Sequence, residues 1–162
     1  MVQVLYYQSP MGWFEIKGSH QGISSVRLVK EPGDNSLDVN ELLVDAARQL
    51  DEYFHKERET FDLILDWGDN PTFSQLVWME LLKIPYGETR SYSGIAKKIG
   101  HPNAVRAVGM ANRNNPIAII VPCHRVIARS GKLQGYFYGL DMKEKLLQLE
   151  NPERFAVQGT LF

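Results

Sequence analysis

Three runs near the N-terminus, "VQVLYY" (2–7), "GWFEIKG" (12–18) and "GISSVRLV" (22–29), alternate apolar and polar side chains, with glycine and proline between them. A period of two puts one face of each run in a core and the other in water, so the spacing predicts an antiparallel meander. "EPGDNS" (31–36) follows as a loop, and Ser36 is placed to cap a helix running through residues 37–57. Leu42, Leu43, Ala46, Leu50 and Phe54 recur there at helical spacing. "TFDLILD" (60–66) reads as one more strand and "WGDNP" (67–71) as a linker.

Beyond the linker the period changes. Thr72 is placed to cap "FSQLVWMELLKI", where Phe73, Leu76, Val77, Leu81 and Ile84 mark a buried stripe. "PYGET" turns the chain, and Ser91 can cap a short helix, "YSGIAKKIG", which Gly100 ends and Pro102 stops from continuing. Asn103 is placed to cap a second helix, "AVRAVGMANRN". Two short helices joined by a tight, glycine-containing turn suggest a helix-turn-helix, although such pairs also occur in proteins that never touch DNA. Arg106, Met110 and Arg113 fall at i, i+4 and i+7 on one face, while Val105, Val108 and Asn112 take another. Ala104, Ala107 and Ala111 keep this helix thin. Gly109 removes bulk beside Arg106 at about 1 kcal/mol of helix propensity. A thin helix bearing arginines can approach a phosphate backbone closely.

Charge supports the same division. Residues 1–70 hold 6 Lys+Arg against 13 Asp+Glu, and residues 71–162 hold 12 against 6. Within 83–132 there are 9 basic residues and one acid, Glu88, which points to a polyanionic partner such as DNA. No apolar run approaches the ~20 residues of a membrane span, so no membrane role is expected. The first residues lack the basic and apolar regions of a secretory signal. One cysteine excludes an internal disulfide and a cysteine-rich zinc cluster. The expectation is a cytoplasmic protein in a reducing compartment.

That cysteine is Cys123, in "IIVPCHRVIARSG" (119–131). A lone cysteine is usually a small buried hydrophobe. Here His124 and Arg125 adjoin it within a basic stretch, which predicts a lowered thiol pKa and a larger thiolate fraction. Pro122 cannot donate to a ladder, which places the thiol at the end of a strand. Neighbouring strand residues face opposite ways, so His124 is expected to reach the sulfur through a water or a turn of the backbone.

With "IPYGETRSYSGIA" upstream, "RAVGMANRNNPIAIIV" before "PCHRV", and "GYFYGLDMKEKLLQLE" after it, the chain resembles the O6-alkylguanine-DNA alkyltransferase family in order across 72–150. "PCHRV" is that family's active-site signature. "SPMGWFEI" and "GISSVRL" resemble its variable N-terminal domain more weakly. The resemblance implies an α+β protein: a ribonuclease H-like antiparallel sheet with a helix over 1–70, then a mostly helical winged helix-turn-helix domain over 71–162. It implies direct repair of double-stranded DNA, with irreversible, single-turnover transfer of an alkyl group from guanine O6, and from thymine O4, to Cys123. No cofactor is implied, and the zinc of some members needs N-terminal cysteines absent here. A monomer is expected.

By the same resemblance His124 acts as base through a water, Glu150 orients its ring, and the Tyr92 hydroxyl serves the leaving base. Arg106 enters the stack where the target nucleotide is extruded, since the adduct is out of reach inside a duplex. Ala107, Gly109, Met110 and Arg113 share the DNA-facing helix, which enters the minor groove. Asn115 ties that helix to the active-site strand, and Val126, Tyr136, Phe137 and Tyr138 close the base pocket. Many relatives carry Gly-Gly or Trp-Gly at the position of Tyr138-Gly139, so a narrower pocket is expected. From the residues alone, a winged-helix regulator or damage sensor that binds without repairing, and a cysteine hydrolase, also remain open. Cys123, His124 and Glu150 separate these readings.

Overall fold

The computed structural model describes residues 1–133 and 135–155. Strands β1 (Gln3–Ser9), β2 (Gly12–Ser19) and β3 (Gly22–Val29) form an antiparallel sheet in sequence order, as their alternation predicts. Phe14, Ile16, Ile23 and Val26 from its inner face meet Leu43, Ala46, Leu50 and Tyr53 of α1 (Glu41–Phe54), all with no exposed surface. Each Val, Leu, Ile or Phe side chain among them contributes roughly 1.5–3 kcal/mol through burial.

The helix begins later than the pattern suggests. Asn40, not Ser36, is its cap, its side chain accepting from the Leu42 N–H at 2.8 Å. Ser36 is drawn to β1 instead, exchanging hydrogen bonds of 2.9 Å with the Val4 backbone. The segment 60–66 departs from the strand expectation more sharply. It makes a single parallel bridge, Ile23 with Leu65. The Gln49 side chain explains this: it donates to the Asp62 carbonyl at 3.0 Å and accepts from the Asp62 N–H at 2.9 Å. A buried side chain thus takes the place of a ladder partner. Gly22 lets the segment approach, since a Cβ there would stand 2.8 Å from the Ile64 carbonyl oxygen.

The chain forms two compact units: Met1–Gly68 with Pro116–Ala118, and the remainder from Asp69 to Asn115 and from Ile119 onward. Pro116–Ala118 adds to the edge of β3, with Val26 N–H donating to the Pro116 carbonyl and Ala118 N–H to the Val26 carbonyl, both at 2.9 Å. Ile119 then takes φ +70°, a costly conformation for a β-branched residue, as the chain leaves this edge.

In the second unit, α2 (Thr72–Leu81) buries Val77, Trp78 and Leu81, while Leu76 is exposed and Phe73 half-buried. Trp78 completes the stripe because its indole N–H finds the Ala111 carbonyl at 2.8 Å. Ser91 caps α3 (Tyr92–Lys98) as expected, accepting from the Gly94 N–H at 3.0 Å. Gly100, at φ +80°, lets the chain leave that helix. Pro71 and Ala104, not Thr72 and Asn103, stand at the caps of α2 and α4 (Val105–Arg113), without side-chain cap bonds. The two-residue strands β4 (Arg90–Ser91) and β5 (Val126–Ile127) pair in parallel, bringing the start of α3 beside the cysteine loop. Helices α5 (Leu140–Glu150) and α6 (Pro152–Phe155) follow. Among the described residues no helix is long and apolar enough to cross a membrane.

Candidate active site

Cys123 opens a single 3-10 turn, Cys123–Arg125, and does not end a strand. The Arg125 N–H donates to the Pro122 carbonyl at 2.9 Å, so the backbone turns where the strand expectation had it extended. Two asparagines from the end of α4 hold this turn. Asn115 Nδ2 donates to the Cys123 sulfur at 3.1 Å and to the Val121 carbonyl at 2.8 Å. Asn112 Nδ2 donates to the Cys123 carbonyl at 3.3 Å.

Behind the thiol lies a sealed ionic network. His124 Nε2 lies 2.7 Å from Glu150 Oε2. Arg125 donates to both oxygens of that carboxylate, at 2.8 and 3.0 Å, and to the Ile84 carbonyl at 2.7 Å. A carboxylate can only accept, so Nε2 carries the proton and Nδ1 presents a lone pair. Burial alone would raise the Glu150 carboxyl, but His124 and Arg125 outweigh it and hold it well below the usual carboxylate range. Burial outweighs the pull of Glu150 on His124 and lowers its pKa, so the ring is neutral at pH 7.

The thiol contradicts one expectation. Burial pushes the Cys123 pKa up, and Asn115, Lys143 and Tyr136 offset this only in part. The adjacent cations do not act as the sequence suggested, because Arg125 is committed to Glu150 and His124 is neutral. The cation that acts on the sulfur is Lys143, which sequence reasoning missed. It is fully buried, donates to the Val126 and Gly135 carbonyls at 2.6 and 3.3 Å, and lies 5.9 Å from the centre of the Tyr92 ring. Burial lowers its pKa to about 8. Lys143 and Glu150 are seven apart on α5 and share its buried face with Leu146 and Leu147, and that spacing was the available signal.

A cleft of about 510 Å³ opens alongside, lined by Tyr92, Val105, Arg106, Gly109, Met110, Asn112, Arg113 and Gly135. It gathers Tyr92 and four of the five helix residues singled out from the sequence. Ala107 is exposed on α4 but outside this lining. Asn115, Val126, Tyr136, Phe137 and Tyr138 also lie outside it. Asn115 and Val126 are buried beside the turn, and the Tyr136 hydroxyl interacts with the thiol without a hydrogen bond of good geometry. Phe137 is exposed, and Tyr138 is half-buried edge-on to Tyr136 and Phe137. Burial, then the nearby sulfur, raises the Tyr92 pKa, so its hydroxyl keeps its proton.

Family models match almost the whole chain: the DNA binding domain of 6-O-methylguanine DNA methyltransferase over residues 72–152, and its ribonuclease-like domain over 4–67. The chain belongs to the 6-O-methylguanine DNA methyltransferase family. A methylated-DNA–protein-cysteine methyltransferase from Methanosarcina acetivorans is 48% identical over 149 residues, covering 89% of this chain and 95% of its own. One of the same name from Mycobacterium bovis is 45% identical and covers 100% of this chain and 99% of its own. The crystal structure of Mycobacterium tuberculosis OGT in complex with DNA superposes with a TM-score of 0.81 at 45% identity, covering 91% of each chain. Family membership accounts for the α+β architecture and for a cysteine loop beside a basic helix pair.

Proposed function

We propose that this protein repairs double-stranded DNA by transferring a methyl or other alkyl group from guanine O6, and from thymine O4, to Cys123, each molecule acting once. The carrying observation is the grouping of a hydrogen-bonded thiol, a neutral histidine fixed by a buried carboxylate, and a cleft lined by Tyr92 and Arg106. Support also comes from relatives named methylated-DNA–protein-cysteine methyltransferase and from the DNA complex of the mycobacterial relative.

Because the thiol is protonated at rest, its proton must leave during attack. The Nδ1 lone pair of His124, linked through one water, takes it, and the ionised Glu150 stabilises the imidazolium that forms. The sulfur attacks the alkyl carbon in line, an S–C bond forms, the C–O6 bond breaks and its electron pair passes to the base. The Tyr92 hydroxyl donates to that base and is reprotonated from the histidine side, so the thiol proton ends on guanine. Lys143 stabilises negative charge on sulfur as it develops.

The α3–α4 pair acts as the helix-turn-helix, with Arg106 filling the stack as the nucleotide swings out. Nothing hydrolyses the thioether, and the chain holds no second cysteine to resolve it. The protein acts as a monomer in the cytoplasm, where a lone thiol stays reduced. Intact-mass and peptide analysis after incubation with an O6-methylguanine duplex tests the proposal. One added methylene on the Cys123 peptide, absent in Cys123→Ser, is expected. Demethylated DNA with an unmodified Cys123 overturns it.

A further inference from the structure

Among the described residues a single aromatic side chain is exposed: Phe137, with 63% of its surface open to solvent. Its ring is nevertheless held, edge-on to Tyr138 with centres 5.0 Å apart and planes at 79°. Tyr138 in turn stands edge-on to the buried Tyr136, at 5.7 Å and 64°, and Tyr136 interacts with the Cys123 sulfur. Three rings thus run from the thiol to the surface, and the outermost presents a free face to solvent. A ring fixed in this way loses little rotamer freedom when a ligand settles on it.

Its surroundings indicate what that face meets. Gly135, two residues before Phe137, lines the cleft with Tyr92 and Arg106. Two residues of chain span at most about 7 Å, roughly two nucleotide steps along a strand of B-DNA. Phe137 therefore stands within about two nucleotides of whatever occupies the cleft. No acidic residue occurs from 89 to 140, and Arg129 and Lys132, shortly before Phe137, are exposed. A basic surface carrying an accessible ring suits a nucleic-acid strand, because every base has a π-face. Extrusion of one nucleotide also strips its neighbours of a stacking partner. We propose that Phe137 is a positioning residue whose ring stacks on the base next to the extruded nucleotide in the damaged strand. This rests on the alkyl-transfer reading above and adds to it a DNA contact outside the base pocket, in place of the pocket wall that the family resemblance implies for this residue.

The test compares single-turnover methyl transfer, read by intact mass, from an O6-methylguanine duplex and from free O6-methyl-2′-deoxyguanosine, which has no flanking base. In Phe137→Ala the ratio of duplex rate to nucleoside rate, both below saturation, should fall by about fivefold or more, the size of one lost base–aromatic stack. Phe137→Trp should keep that ratio within about twofold of wild type, since an indole stacks as well. Two further duplexes replace the base on one side or the other of O6-methylguanine by an abasic site. On one of them wild type and Phe137→Ala should react within about twofold of each other, because both then lack the stack. An unchanged ratio in Phe137→Ala overturns the inference, as does an equal loss on duplex and nucleoside, which marks Phe137 as a wall of the base pocket. A Phe137→Trp ratio as low as that of alanine, or an alanine defect that persists on both abasic duplexes, overturns it too. Failure of the wild-type protein to take methyl from the intact duplex overturns the transfer reading itself.

Discussion

The His124 ring and the Glu150 carboxylate meet at 2.7 Å with both side chains sealed from water, and Arg125 closes the other side of the same carboxylate. A buried pair of this kind carries a desolvation cost, so its value lies in what it fixes: a tautomer, a ring orientation and a neutral base.

Stability should therefore depend on this network in acid. Glu150 has a depressed pKa when folded, so its contribution is complete above its unfolded value near 4.5 and is lost as pH falls through the folded one. His124, also depressed, adds a loss below 6.5, where the unfolded chain takes up a proton that the folded one refuses. Chemical denaturation across pH should show stability falling from about pH 6.5 downward. In Glu150→Gln the loss below about pH 4.5 should flatten while the His124 loss below 6.5 persists, and stability at pH 7 should drop by about 3–5 kcal/mol because Arg125 is left buried and unpaired.

Lys143 predicts a second window, on the alkaline side. Its pKa drops from 10.5 to about 8 on folding, so between those values the unfolded chain binds more protons and stability rises with pH. Wild type should gain stability relative to Lys143→Met as pH climbs from 8 toward 10. Transfer by the variant at pH 7 should slow by about tenfold or more, since the cation that acts on the developing thiolate is gone.

Gly109 should trade stability against access. A Cβ built there meets nothing closer than Tyr92 Cδ1 at 4.0 Å, so Gly109→Ala fits and should stabilise by about 0.5–1 kcal/mol, read from thermal or urea unfolding. Gly109→Leu should also fold, but it fills the cleft and should weaken transfer from DNA more than it affects stability.

Arg106 is exposed on the cleft rim. Arg106→Glu should leave unfolding within about 0.5 kcal/mol of wild type. It should slow transfer from duplex DNA severely, with a shallower dependence of binding on salt, because one cationic side chain on the helix proposed to enter DNA is reversed. Measuring binding at two salt concentrations beside single-turnover transfer separates docking from base extrusion.

The sheet and the order of helices were legible because each carries a local signal, alternation or helical spacing, and Cys123 and His124 stand out in "PCHRV", whereas Glu150 carries no local signal and enters only through the family resemblance. What was not legible depends on partners far along the chain. Ser36 caps nothing because Val4 claims it, and 60–66 is no strand because Gln49 satisfies its backbone. The sign of the Cys123 shift was read backwards for the same reason, since adjacency put Arg125 next to the sulfur while Glu150, 25 residues on, takes its charge.

The most direct test is a titration of the protein with excess duplex carrying isotopically labelled O6-methylguanine, following label on protein and on DNA together. The account predicts a plateau at one methyl per molecule, all of it on the Cys123 peptide, with no label transferred to Cys123→Ser. Continued loss of label from DNA beyond one equivalent, or label at another residue, would contradict it.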